Sequence, residues 1–297
     1  MAWLERAALV TPSLPSIDAH APAEMAHKSM LAGIKKAQMG ALPLFALAVL
    51  AGGFIGLGAV FATVAATFVP GSETALPWGV TRLLMGLTFS LGLILVIVGG
   101  AELFTGNVLL VIGWAARRVS VVAVMRNWTI VYAGNLVGAL GLAGMVFLSG
   151  AWKAGDGGVG LTAVTIAQAK GNLGFAEALV LGILCNILVC LAVWLTFSAR
   201  TTTDRILAIV PPVAAFVAAG FEHSIANMYF MPVGVLIRSF APATFWTSTG
   251  TSADAFADVT WAAFVGNLVP VTIGNAIGGG LFVGAVYWLV YVRQPAH

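Results

Sequence analysis

Apolar residues gather into six runs along the chain, at about 41–69, 82–113, 129–149, 174–197, 206–238 and 261–292. Each matches or exceeds the roughly 20 residues that a helix needs to cross a bilayer. The pattern predicts an all-α membrane protein with six transmembrane helices. Two runs depart from the rest. The second and fifth each extend over about 32 residues and hold polar groups near their middles. The second contains GGAELFTGN at 99–107, and the fifth contains AGFEHSIANMYFMP at 219–232.

Placing Glu102 on Glu222 also places Asn107 on Asn227, so both runs read E-x-x-x-x-N. A GNLV follows in each half, at 134–137 and at 266–269. The offsets, 120 and 132 residues, describe two related halves of three spans each. An odd number of spans makes the second half enter the membrane from the opposite face. The expected organisation is therefore a tail at 1–38, a six-helix domain at 39–293 and a short tail at 294–297. Within the domain, repeat one covers about 39–149 and repeat two about 174–293, an inverted pair with helices 2 and 5 broken. Interrupted helices at matching places in two such halves point to a substrate pathway.

Irregular backbone survives at membrane depth only where protein buries it or a cavity hydrates it. Gly99, Gly100 and Gly106 loosen the second run, and Pro232 and Gly234 are expected to do so in the fifth. The freed amides turn the positive ends of half-helices toward a permeating anion. Asn107 and Asn227 read as caps of those ends. An ionised side chain at the bilayer centre costs about 2.5–3.5 kcal/mol, so Glu102 and Glu222 either accept hydrogen bonds from the freed amides or stay protonated; the first is expected, because each lies beside its own break. His223 is the one histidine inside a run, since His20, His27 and His297 fall in the tails. An imidazole donates, accepts, or changes charge near neutral pH, which suits a pathway for a weak acid. Gly52, Gly56 and Gly58, with Gly274, Gly278, Gly280 and Gly284, have the small-residue spacing of closely packed membrane helices.

Composition agrees with this picture. The chain has 297 residues, 60% hydrophobic and 8% charged, against roughly 25% charged in soluble domains. Of the 14 Lys and Arg, ten fall on one side of the predicted spans: Arg6, Lys28, Lys35, Lys36, Arg117, Arg118, Arg126, Arg200, Arg205 and Arg293. Four fall on the other: Arg82, Lys153, Lys170 and Arg238. The positive-inside rule then puts both termini in the cytoplasm. Residues 1–30 contain no apolar core of the length a secretory signal needs. Lys28, Lys35 and Lys36 beside Met25, Met30, Leu31 and Ile34 suit a short amphipathic helix. Cys185 and Cys190 read as small packing residues. No basic run interleaved with aromatics suggests nucleic acid. The GGG at 278–280 lies inside an apolar run with no strand before it, which argues against a nucleotide loop. A membrane-embedded redox subunit is a remote alternative, because bis-histidine haem needs a second histidine at membrane depth. Neither a cofactor nor a metal is expected.

GAELFTGN at 100–107, GILCNILVCLAVW at 182–194, GFEHSIANMYFMPVG at 220–234 and GNLVPVTIGNAIGGGLFVGAVYW at 266–288 resemble the formate/nitrite transporter family, the formate-channel branch above all. The resemblance covers nearly all of residues 30–293. It implies an aquaporin-like protomer in a homopentamer of the bacterial inner membrane, with one pore per protomer and no enzymatic activity. It implies small monovalent weak-acid substrates: formate first, then nitrite, then hydrosulfide, with short carboxylates such as acetate or lactate in some members. His223 falls on the family's central histidine, with Glu222 beside it; Thr105 falls on the threonine of the broken second helix and Asn186 on the asparagine paired with the centre. Lys170 falls on the vestibule lysine, whose charge would draw anions in. Phe89, Leu93 and Phe216, with Leu103 near the loop, fall on apolar constrictions that would oppose bare ions by dewetting. The resemblance also implies a pH-responsive gate in the N-terminal tail.

Overall fold

The computed structural model describes residues 18–67 and 76–293. Arg6, His297, the tail at 294–297 and the first 17 positions of the N-terminal tail lie outside the described residues. Among the described residues the regular structure is all helical. Helix α1 (Pro22–Ala37) is followed by α2 (Ala41–Ala66) and α3 (Trp78–Gly99). Two short helices, α4 (Phe104–Asn107) and α5 (Leu110–Ala115), complete the second crossing, and α6 (Val121–Ser149) makes the third. The second half repeats the order with α7 (Gly158–Gly171), α8 (Phe175–Thr196), α9 (Thr202–Ala219) and α10 (Ser224–Phe240). After the short α11 (Ala243–Ser248), α12 (Trp261–Ile277) continues through π-helical turns at Gly278–Ala285 and Trp288–Val292. Among the described residues six stretches are long and apolar enough to cross a membrane. The even count returns the chain to the face it started from, and α1 packs against the last turns at 288–292.

Both long runs break, as the sequence predicts, and they break alike. The first half-helix of each broken crossing stops at a glycine in the left-handed region, Gly100 at φ 78° and Gly220 at φ 80°, where a Cβ would be strained. The break in the fifth crossing therefore lies at 220–223. Pro232 and Gly234 do not interrupt it; both sit inside α10. Gly234 serves packing instead, because a Cβ there would collide with the Ala167 side chain of α7.

Two elements differ from expectation. The third crossing begins at Val121, well before the predicted 129, since the Ser120 hydroxyl accepts from the Ala123 amide and starts the helix early. The polar pair Arg126–Asn127 had masked that turn. The segment between the halves contains α7, a 14-residue helix whose even mix of apolar and polar residues gives no stripe to read.

α2 packs on α3 and α6, α8 packs on α9 and α12, and α3 meets α9 across the centre. The contact between α2 and α6 is backbone to backbone: a Cβ at Gly138 would strike the Val49 carbonyl, and one at Gly52 the Asn135 carbonyl. Gly141, one turn along, faces open space. Gly138→Val should destabilise the fold by at least about 3 kcal/mol through overpacking, while Gly141→Val should be neutral. Thermal unfolding of both variants in detergent, followed by loss of the monodisperse chromatographic peak, checks the pair.

Candidate functional site

The two breaks meet at the centre of the bundle. Position 103 opens α4 and position 223 opens α10, with nearly the same backbone: φ −111°, ψ 127° at Leu103 and φ −110°, ψ 113° at His223. Inverted symmetry makes these equivalent residues, one apolar and one imidazole.

Asparagines on the third helix of each half hold the breaks together. Asn135 Oδ1 accepts from the Phe104 amide at 2.9 Å, and its Nδ2 donates to the Ala48 and Glu102 carbonyls. Asn275 repeats every bond: Oδ1 accepts from the Ser224 amide at 2.9 Å, and Nδ2 donates to the Gly182 and Glu222 carbonyls. The breaks also borrow carbonyls from neighbouring helices, Glu102 N donating to Leu47 O and Glu222 N to Leu181 O. The repeat offset for the third helix is therefore 140 residues, from Asn135 to Asn275. The GNLV match at an offset of 132 is a register error of two turns, produced by a second Gly-Asn pair at 266–267.

Glu102 and Glu222 do not take the freed amides, and Asn107 and Asn227 are not caps. They form a second matched network. Glu102 accepts from Lys36 Nζ at 3.0 Å and from Asn107 Nδ2 at 2.8 Å. Glu222 accepts from Lys170 Nζ at 2.7 Å and from Asn227 Nδ2 at 2.6 Å. Asn127 and Asn267 close the two rings, each accepting from its asparagine and donating to the carbonyl of its lysine. The physical reason is charge. A buried carboxylate gains more from an ammonium than from a neutral amide, and the asparagines on α6 and α12 leave no amide waiting.

His223 caps α10: its Nδ1 accepts from the Ala226 amide at 3.1 Å. An accepting Nδ1 puts the ring proton on Nε2 in the neutral imidazole. Nε2 lies 3.1 Å from Thr105 Oγ1, so the ring donates across the interface between the two breaks. Thr105 itself is held by its carbonyl, which receives Asn186 Nδ2 at 3.2 Å and Cys190 Sγ at 3.3 Å. Asn186 therefore positions Thr105 and makes no bond to the imidazole; its stronger bond, 2.6 Å, goes to the Asn275 carbonyl. A Cβ at Gly279 would stand 2.6 Å from that Nδ2, and the π-helical turns there leave the room.

A cavity of about 230 Å³ reaches His223 from the α7 side, lined among others by Arg82, Phe89, Lys170, Phe216 and Glu222. A second, about 40 Å³, opens toward α1 and is lined by Lys36, Leu93, Leu103 and Asn107. The predicted apolar residues thus divide: Phe89 and Phe216 floor the larger cavity, Leu93 and Leu103 the smaller. The Phe216 ring stacks on the imidazole at 5.9 Å, and Phe89 meets Phe216 edge-on at 5.8 Å. Thr105 is fully buried between the cavities. Sequence reasoning missed Lys36, Arg82 and the four third-helix asparagines, Asn127, Asn135, Asn267 and Asn275. The signal was present, because an intramembrane asparagine pair spaced eight residues apart occurs in both third helices.

Asn275→Leu strands the Ser224 amide and two carbonyls in a dry interior. It should cost about 3–5 kcal/mol and lower the midpoint of thermal unfolding in detergent by about 10 °C.

Residues 23–289 match the family model described as formate/nitrite transporter. The formate channel FocA of Escherichia coli is 47% identical over 277 residues, covering 93% of this chain and 96% of that protein. A solved structure titled a pentameric formate channel with formate bound superposes with a TM-score of 0.79 at 47% identity, covering 85% of this chain and 98% of that one. A second, titled an FNT family ion channel, superposes with a TM-score of 0.74 at 29% identity, covering 91% and 99%. Four motifs in order, two matched breaks and full-length similarity converge: the chain belongs to the formate/nitrite transporter family.

Proposed function

We propose that the protein is a membrane channel for small monovalent weak-acid anions, with formate as its first substrate. The observation that supports this best is the 3.1 Å contact between His223 Nε2 and Thr105 Oγ1 at the one place where both breaks meet. It is a hydrogen-bonding station for one small acid, closed on either side by apolar side chains. Relatives named for formate support the substrate, and the family description supports nitrite as the second reading.

The chemistry follows from the geometry. An anion in the larger cavity meets Phe89 and Phe216, which offer no hydrogen bonds, so a bare charge loses hydration without replacement. The Nε2–H of His223 is the donor facing that barrier. It stabilises the acid's oxygen by hydrogen bonding, and a proton that the anion takes up from solvent in the larger cavity lets the substrate cross neutral, while Nδ1 stays committed to the Ala226 amide. We place the α1 side, with most of the Lys and Arg, in the cytoplasm of a bacterial inner membrane. Helix α1, whose Ser29, Gly33 and Lys36 line the smaller cavity, then stands at the inner mouth. The pentameric relative supports the same assembly here, with one pore in each protomer.

Proteoliposomes should take up labelled formate faster than nitrite or hydrosulfide. Flux should rise as pH falls from about 8 to about 5, because the protonated fraction of a carboxylic acid grows about ten-fold per pH unit over that range. His223→Leu should flatten that rise while leaving the protein folded. An unchanged pH profile in this variant would remove the imidazole from the mechanism.

A further inference from the structure

The charges around the larger cavity do not balance. Lys170 and Glu222 stand 2.7 Å apart, so they largely cancel for an ion approaching from several ångströms away. Arg82 lines the same cavity. The salt bridges found among the described residues are His20–Glu24, Lys36–Glu102 and Lys170–Glu222, and none involves Arg82.

Arg82 is also fixed in place. Its Nε donates to the Ala218 carbonyl at 3.0 Å and its Nη2 to the Val217 carbonyl at 2.6 Å, both at the C-terminal end of α9. That is the end at which a cation is favoured. Nη2 sits 3.1 Å from where a Cβ would stand on Gly220, against the turn that leads into Glu222 and His223. Nη1 has only a weak partner, Met85 Sδ at 4.0 Å. A guanidinium presents five N–H donors in a flat fork, so part of the fork remains for an oxyanion. The smaller cavity lacks any counterpart. Its single charged lining residue, Lys36, is paired with Glu102.

We propose that Arg82 is the residue that recruits the anion at the outer vestibule, a role the sequence assigned to Lys170. One carboxylate, Glu222, faces two cations across this cavity, and Arg82, the one not in direct contact with it, supplies the net positive charge and the planar donor pair that a carboxylate or nitrite accepts. Lys170 instead neutralises and positions Glu222. The two mouths consequently differ: entry from the Arg82 side is assisted by long-range attraction, and entry from the Lys36 side is not. This rests on the reading of the protein as an anion channel.

The test uses sided formate flux through the protein in planar bilayers, with ionic strength set by a large impermeant anion. Raising ionic strength from about 10 mM to about 100 mM shortens the screening length from about 30 Å to about 10 Å. In the parent protein this should raise the half-saturating formate concentration several-fold on the Arg82 face and leave the Lys36 face nearly unchanged. Arg82→Gln should raise that concentration roughly five-fold at low salt, the effect expected of one unit charge at close range, and abolish the salt dependence. Its maximal flux should stay within about two-fold of the parent, because the central station is untouched. Arg82→Lys should keep the salt dependence, which a purely structural role would not predict. Equal salt dependence on both faces of the parent overturns the proposal without any variant, and so does salt dependence that persists in Arg82→Gln. If Arg82→Gln fails to assemble, the sidedness of the parent and the response of Arg82→Lys decide. A parent with no saturable anion flux at all overturns the channel reading itself, and this one with it.

Discussion

A broken helix inside lipid leaves amides and carbonyls that no water can reach, and each one left alone costs as much as a lost hydrogen bond or more. Everything at the centre of this protein depends on meeting that demand twice. Asn135 and Asn275 do it, each with one oxygen and one NH₂ that join three backbone groups. A serine or an aspartate would not suffice: the first is too short in donors and the second has none to give. With the two asparagines in place the half-helices are fixed, and the residues that open them, Leu103 and His223, are aimed at one another's surroundings.

A second layer handles charge. Lysine, glutamate and two asparagines form a ring beside each break, and the two rings repeat the same set of four bonds. One difference matters. Lys36 reaches both Glu102 and the Asn107 oxygen, whereas Lys170 bonds Glu222 and lies over the Phe230 ring at 5.6 Å. The Asn227 oxygen is left without a partner among the described residues. Burying such ion pairs contributes little net stability. In the proposed channel their use is to keep carboxylates beside the pathway without presenting an unscreened negative charge to an anion.

The six crossings, the two interruptions and the imidazole were legible in the sequence, because each rests on a strong contrast: apolar against charged, or one histidine against a background of none. The glycines that end α3 and α9 were legible only in part. Gly220 stands in an ordinary-looking AGFEH, and the more conspicuous Pro232 drew attention to the wrong turn. Bond partners were hidden further still. The asparagines that hold the breaks lie some 30 to 50 residues away along the chain, and nothing local distinguishes Asn275, which bonds a break, from Asn267, which joins a ring. Lys36 and Arg82 were read as topology markers because their carboxylate and carbonyl partners come from other helices. Helix α7 was missed because it sits between the halves and lacks an apolar stripe. Its twin is α1, which an amphipathic pattern had revealed.

Leu103 and His223 occupy one backbone conformation in two opposite directions. At the two breaks the main chain is therefore the same seen from either side. Whatever polarity the proposed conduit has at its centre is written in a handful of side chains laid on those two matched turns.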